Sequence, residues 1–175
     1  MISHPLIMTY TGNGKGKTTA ALGLLFRSLG HNKKGAVIQF IKLDSSKTGE
    51  KAFAHTMGIL WENYGAGFTW NDEKGENNAI CELGFNRVKE LLDDPSYDIV
   101  ILDEFTYPLQ FGFLDEKEVL EFFTEYKKRE KRGHIVITGR GASEGLIEIS
   151  DLVSEIVEVK HPFTRNIPPQ MMIEF

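Results

Sequence analysis

The feature that most restricts this chain lies close to its start. A short apolar run, residues 6–10 (LIMTY), leads into Thr11-Gly12-Asn13-Gly14-Lys15-Gly16-Lys17-Thr18-Thr19 and then into a helical pattern. A strand that passes through a glycine-rich loop into a helix aims backbone N–H groups and the positive end of the helix dipole at one spot, which suits an anion. Gly12, Gly14 and Gly16 let the backbone take positive φ or approach a ligand closely. Lys17 and Thr18 complete the strand–GxxxxGK[ST]–helix pattern, in which the lysine reaches the outer phosphates and the hydroxyl takes one position on Mg²⁺. Gly12, Asn13, Gly14, Lys15, Gly16, Lys17, Thr18 and Thr19 are therefore the candidate triphosphate cradle. One position departs: Thr11 stands where the pattern has its first glycine, so the turn out of the strand is expected to differ from the usual one. A glycine- and lysine-rich surface turn would share the composition, but not a GKTT run set directly after a strand.

The rest of the chain alternates apolar, β-branched runs with helical patterns. Strands are predicted at residues 36–41 (AVIQFI), 98–102 (DIVIL) and 134–138 (HIVIT), with shorter ones around 153–159 and 171–175. Helices are predicted over 17–29, ended by Gly30, over 78–92, ended before Pro95, over 116–131, with Gly133 just beyond, and over 143–149. Strands this apolar, separated by helices, imply a parallel sheet covered on both faces. Residues 44–75 are different. They are rich in Gly, Lys, Asn and aromatic residues without sustained periodicity, and read as a long functional loop.

A chain of 175 residues is long enough to bury about 70% of its unfolded surface around one core. A net charge of −5 argues against nucleic acid as the partner, because nonspecific binding needs a basic face. Cys81 is the only cysteine, which excludes an internal disulfide and fits a reducing compartment. The five histidines show no metal-ligand spacing, and His161 reads as structural. The N-terminus lacks a basic stretch followed by an apolar segment, and no apolar run is long enough to span a bilayer. The expectation is a soluble, cytoplasmic protein without a membrane partner.

A second element of chemistry follows the strand at 98–102, where the chain reads Asp103-Glu104. In folds with a phosphate-binding loop such acids sit at the carboxyl end of the sheet, where a carboxylate holds Mg²⁺ directly or through water. The two motifs together predict a three-layer α/β P-loop (recombinase-like) fold, with a mostly parallel central sheet, in one nucleotide-binding domain over residues 1–175. They do not choose the reaction. An NTPase can use a glutamate after such a strand to activate water, and a kinase needs a second pocket and an arginine-bearing lid, for which Arg140 is placed.

Several segments together resemble the ATP:corrinoid adenosyltransferase family of the P-loop type. They are YTGNGKGKTTAALGL (10–24), VIQFIK (37–42), GAGFTW (65–70), DIVILDE (98–104), ITGRGASEGLIEISDLVSE (137–155), KHPF (160–163) and the terminal IEF (173–175). Thr11 in place of glycine is what this family looks like. The resemblance implies transfer of the 5′-deoxyadenosyl group of ATP to the Co(I) centre of cobalamin or cob(I)yrinic acid a,c-diamide, with triphosphate leaving. Lys17, Thr18 and Glu104 become the expected catalytic residues, and Thr18, Glu104 and Asp103 the expected Mg²⁺ ligands. Arg27 is expected to help hold ATP, and Phe68 and Trp70 to line the corrinoid site. A flavoprotein reductant and a homodimer are further implications. The chain departs from the family at Asn166, Pro169 and Met172, where Gly, Ala and Gly are usual. It also starts almost directly at the first strand, without the longer N-terminal segment of some members, so site closure and substrate preference are expected to differ. A bulky apolar wall under the macrocycle would exclude a lower axial ligand and make Co(II) easier to reduce. Phe68→Ala or Trp70→Ala should therefore slow adenosylation of a Co(II) corrinoid more than it weakens ATP binding. Equal loss of nucleotide affinity, measured by calorimetry, would count against that role.

Overall fold

A computed structural model describes residues 4–41, 48–65, 76–130 and 132–173. Six strands, β1 (Ile7–Thr11), β2 (Gly35–Phe40), β3 (Leu60–Tyr64), β4 (Ile99–Asp103), β5 (His134–Thr138) and β6 (Leu152–Glu155), form one sheet in the order β3-β2-β4-β5-β1-β6. Every pairing is parallel, so the carboxyl ends of all the strands face the same way. Helices α1 (Lys17–Gly30), α2 (Gly49–Thr56), α3 (Glu76–Asp93), α4 (Thr106–Gln110), α5 (Glu116–Lys127) and α6 (Glu144–Ile149) connect them.

Alternation along the central strands divides the core into two layers. On one face Ile38 and Phe40 of β2, Leu102 of β4 and Ile137 of β5 pack with Val88 of α3 and Phe123 of α5. On the other, Val37, Ile101 and Val136 pack with Ala21 and Leu25 of α1 and Ala54 of α2. Strands β2 and β4 are buried along their whole length, which explains why they read as continuous apolar runs. Phe105, fully buried just past β4, meets Phe40 edge-on at 5.0 Å and lies 5.8 Å from Phe85 and 6.0 Å from Phe123. That aromatic cluster anchors the turn after the Asp103-Glu104 pair from below.

The three-layer α/β architecture of the P-loop type is the expected one, and the sheet is parallel throughout. Three local expectations change. The stretch read as a loop at 44–75 contains α2 and β3. β3 is an edge strand, only partly buried and carrying Glu62 and Asn63, so it lacks the apolar signature of its neighbours. Helix α5 ends at Lys127, where Lys128 and Arg129 N–H groups turn back to Glu125 and Tyr126 carbonyls. No strand forms at 171–173, which make an exposed turn shortly after Pro168 and Pro169; proline has no N–H to give a ladder. Residues 174–175 lie outside the described residues.

Two carboxylates tie the opposite, amino end of the sheet. Asp151 accepts from the Ile7 N–H at 2.8 Å and from Lys127 Nζ at 2.7 Å. Asp98 accepts from the Lys34 N–H at 2.9 Å and from Lys33 Nζ at 3.0 Å. Burial alone would raise both carboxyls, but these bonds outweigh it and hold both below the ordinary 3.8. A carboxyl depressed by folding contributes stability above its unfolded pKa and loses it as pH falls through the folded value. The melting temperature should therefore drop below about pH 4. Asp151→Asn should cost about 1 kcal/mol at neutral pH and make the acid-side drop shallower. Calorimetry from neutral to acid pH checks this, and an unchanged acid slope in the variant would refute it.

Candidate functional site

The loop leaves β1 at Thr11, and the departure from the usual pattern has a structural counterpart. Thr11 remains in the ladder opposite Glu155, and its hydroxyl accepts the Ala142 N–H at 3.0 Å. The positive φ falls one residue later, on Gly12 at 94°, and again on Gly16 at 117°, the residue that precedes α1. The segment after β6 crosses the loop closely: Gly14 N–H donates to the Ile156 carbonyl at 2.7 Å and Ile156 N–H to the Thr11 carbonyl at 2.8 Å. A Cβ at Gly12 or Gly14 would come within 2.5 or 2.7 Å of the Ile156 carbonyl oxygen. Glycine is required by space at both positions, and at Gly12 by conformation as well.

Lys17, at the first position of α1, is 8% exposed and folds back over the loop. Its Nζ donates to the carbonyls of Gly12 at 2.9 Å and Gly14 at 2.8 Å. Burial lowers its pKa, against the opposing pull of Glu104. Thr18 Oγ1 donates to Asp103 Oδ1 at 2.7 Å, so the helix that follows the loop is bonded directly to the acid that ends β4. Asp103 is fully buried and also accepts from Thr138 Oγ1 at 2.7 Å and Gln39 Nε2 at 2.6 Å. Glu104 takes a left-handed conformation, φ 58°, and its N–H donates to Thr138 Oγ1 at 3.0 Å. A non-glycine residue pays about 1 kcal/mol or more for that backbone, and here it turns the glutamate into the cavity lining.

That cavity, about 410 Å³, is lined by residues 13–19 together with Glu104, Tyr107, Arg140, Glu158 and His161. A volume of this size lies within the range of small-molecule sites. The Arg140 turn is clamped from below. Thr106 Oγ1 donates to the Arg140 carbonyl at 2.7 Å, and Gln110 Nε2 donates to the same carbonyl and to that of Gly141. His161 Nδ1 accepts the Phe163 N–H at 3.1 Å, which leaves Nε2 as the protonated nitrogen.

The structure thus brings Gly12–Thr19, Asp103 and Glu104 together at the carboxyl end of the sheet. It does not bring Arg27 there. Arg27 sits in the last turn of α1, ten residues beyond Lys17 and so about 15 Å away along the helix, where it lines a separate cavity with His31, Lys33 and Arg132. Phe68 and Trp70 lie outside the described residues. Gln39, Thr138, Tyr107 and Glu158 were not singled out by sequence reasoning. Only Gln39 left a signal, as a polar residue inside an otherwise apolar run.

The oxygen donors around Asp103 suit a hard cation. Thr18 Oγ1 and the Asp103 carboxylate lie 2.7 Å apart beside a cavity that Glu104 also lines. Among the described residues no group of three or more His, Cys, Asp or Glu could hold a metal by itself. Mg²⁺ takes one or two protein oxygens and completes its shell with water and phosphates. No helix among the described residues is long and apolar enough to cross a membrane.

Comparison with known proteins extends this geometry to a family. Residues 3–175 match the family model described as ATP:corrinoid adenosyltransferase BtuR/CobO/CobP. The chain is 38% identical over 171 residues to the corrinoid adenosyltransferase of Escherichia coli (strain K12), covering 97% of this chain and 85% of that protein. It is 40% identical over 174 residues to the corrinoid adenosyltransferase of Sinorhizobium sp, covering 97% and 80% respectively. It is 37% identical to the corrinoid adenosyltransferase CobA of Salmonella typhimurium (strain LT2), covering 97% and 85%. With a loop that begins at threonine, acids at the end of β4 and a match running almost from end to end, the chain belongs to the ATP:corrinoid adenosyltransferase family.

Proposed function

We propose that this protein transfers the 5′-deoxyadenosyl group of ATP to the Co(I) centre of a corrinoid, either cobalamin or cob(I)yrinic acid a,c-diamide, in adenosylcobalamin synthesis or salvage. The observation that carries the proposal is the family match over residues 3–175. The Co(I) lone pair of the corrinoid substrate attacks the ribose C5′. The C5′–O5′ bond breaks, its electron pair leaves on the triphosphate oxygen, and the new bond joins cobalt to carbon. No water is activated, so the chain has two tasks: to align cobalt, carbon and leaving oxygen, and to stabilise charge growing on the triphosphate.

The loop Gly12–Thr19 holds the triphosphate in this reading. Lys17 exchanges its present carbonyl partners, Gly12 and Gly14, for phosphate oxygens. Burial makes that exchange favourable, because a desolvated ammonium gains most from an anionic partner. Thr18, Asp103 and Glu104 would hold Mg²⁺, which supplies charge neutralisation to the leaving group. Arg140 and His161 Nε2 line the same cavity and offer further donors to the phosphates. Arg27 is not included in this set, because α1 carries it away from the loop. Phe68 and Trp70 form the corrinoid wall.

The nucleophile must be reduced from Co(II) by one electron, and a flavoprotein is the donor in this reading. A homodimer is supported by the outer edge of β6, which no other strand pairs among the described residues and which carries the exposed Leu152 and is followed by the exposed Val157 and Val159. A lone cysteine, Cys81, fits the cytoplasm.

Incubation with ATP, Mg²⁺, reductant and cob(I)alamin should yield a light-sensitive Co–C product and triphosphate. ADP and phosphate in place of triphosphate would overturn the assignment. Lys17→Ala should lower kcat/KM for ATP by roughly 100-fold or more, with corrinoid affinity, measured separately by absorbance titration, unchanged.

A further inference from the structure

One buried residue has no part in the chemistry above. Gln39 is 2% exposed within β2, a strand otherwise made of glycine, alanine and large apolar residues. A buried amide left unpaired costs about 1–3 kcal/mol, so its placement demands an account of its hydrogen bonds. They form one polar rung across three strands. Gln39 lies in register with Asp103 on one side and Asn63 on the other, so the three side chains share a face of the sheet.

The direction of every bond along this rung is set by the carboxylate. An ionised acid only accepts, so Gln39 presents Nε2 to Asp103 Oδ2 at 2.6 Å. Its Oε1 then faces β3 and takes the Asn63 Nδ2 donor at 2.8 Å. Asn63 in turn keeps its own carbonyl, Oδ1, buried without a hydrogen-bond partner among the described residues. An unmet acceptor at the outer end is tolerated so that the inner end can give Asp103 a donor.

The two oxygens of Asp103 are used differently. Oδ1 takes both hydroxyls, Thr18 and Thr138, while Oδ2 takes Gln39. Thr18 is part-buried at the cavity, whereas Gln39 is enclosed between strands. We propose that Gln39, oriented by Asn63, is a positioning residue: it fixes the plane of the Asp103 carboxylate and thereby keeps Thr18 aligned for a Mg²⁺–triphosphate. This rests on the reading that Mg²⁺–ATP binds at Thr18 and Asp103. Partners of this kind, one bond removed from a metal, typically alter metal affinity or activity 10–100-fold.

The test is calorimetric titration of the full chain with ATP, in Mg²⁺ and in EDTA, for the wild type, Gln39→Met and Asn63→Ala. Gln39→Met keeps the volume and removes both hydrogen bonds. The gain in ATP affinity that Mg²⁺ gives the wild type should shrink roughly 10-fold in Gln39→Met and to a lesser degree in Asn63→Ala. Affinity in EDTA should stay within about twofold in both. KM for the corrinoid should hold while kcat falls. A Gln39→Met protein that keeps the wild-type Mg²⁺ gain overturns the proposal, as does one that loses affinity equally with and without the metal. If Gln39→Met does not fold, Asn63→Ala is judged by the same criteria. A wild type whose ATP affinity ignores Mg²⁺ would overturn the underlying metal reading instead, and that outcome shows itself before any variant is made.

Discussion

The arrangement depends on a carboxylate placed where water does not reach. Asp103 is fully buried, and an isolated charge in such a place would be prohibitive. It is tolerated because three donors converge on it from three elements: Thr18 from α1, Gln39 from β2 and Thr138 from β5. Those elements can converge only if β2 and β5 flank β4 in parallel and α1 lies over the same end, as the strand order provides. The acid is therefore both a functional group and a joint. Two of its partners, Gln39 and Thr138, are themselves buried, while Thr18 stands at the cavity.

A second constraint acts from the other side of the loop. Residue 156 brackets Thr11 and Gly14 with two backbone bonds, and the closeness of that crossing leaves no room for a Cβ at Gly12 or Gly14. The glycines of the loop thus serve two demands at once, a left-handed backbone at Gly12 and Gly16, and proximity at Gly12 and Gly14. One loop N–H is already committed to the protein. The cavity that remains is closed by residues far apart in the chain, with Glu104 and Tyr107 on one side and Glu158 and His161 on another.

What the sequence made legible were features that repeat or are contiguous. The central strands could be read because burial on both faces forces an unbroken apolar run, and the loop and the Asp103-Glu104 pair because their residues are neighbours in the chain. β3 escaped notice because an edge strand needs less apolar character, and α4 because five residues containing Pro108 carry no periodicity. The expected strand at 171–175 failed at 171–173, where apolar composition suggested pairing that the preceding prolines do not support. Gln39, Thr138 and Tyr107 depend on register and on which strands are adjacent. Parallel strands far apart in sequence leave no local trace of either. Arg27 shows the converse: its residue type and helix are read from the sequence, but its place in the last turn of α1, away from the loop, is not.

Thr11 illustrates how one substitution relative to a general pattern redistributes work. The strand extends through residue 11 and stays paired with Glu155. Its hydroxyl becomes available to the Ala142 N–H, a bond worth about 1 kcal/mol that attaches the turn after β5 to the root of the loop. Two residues before Ala142 stands Arg140, whose carbonyl is held by Thr106 and Gln110. The arginine turn is therefore pinned at one end to β1 and at the other to α4, which begins two residues after Glu104. The same turn is held to β1 a second time by the Gly139 N–H, which donates to the Tyr10 carbonyl at 3.2 Å. The departure at Thr11 thus joins the loop to the two other walls of its cavity.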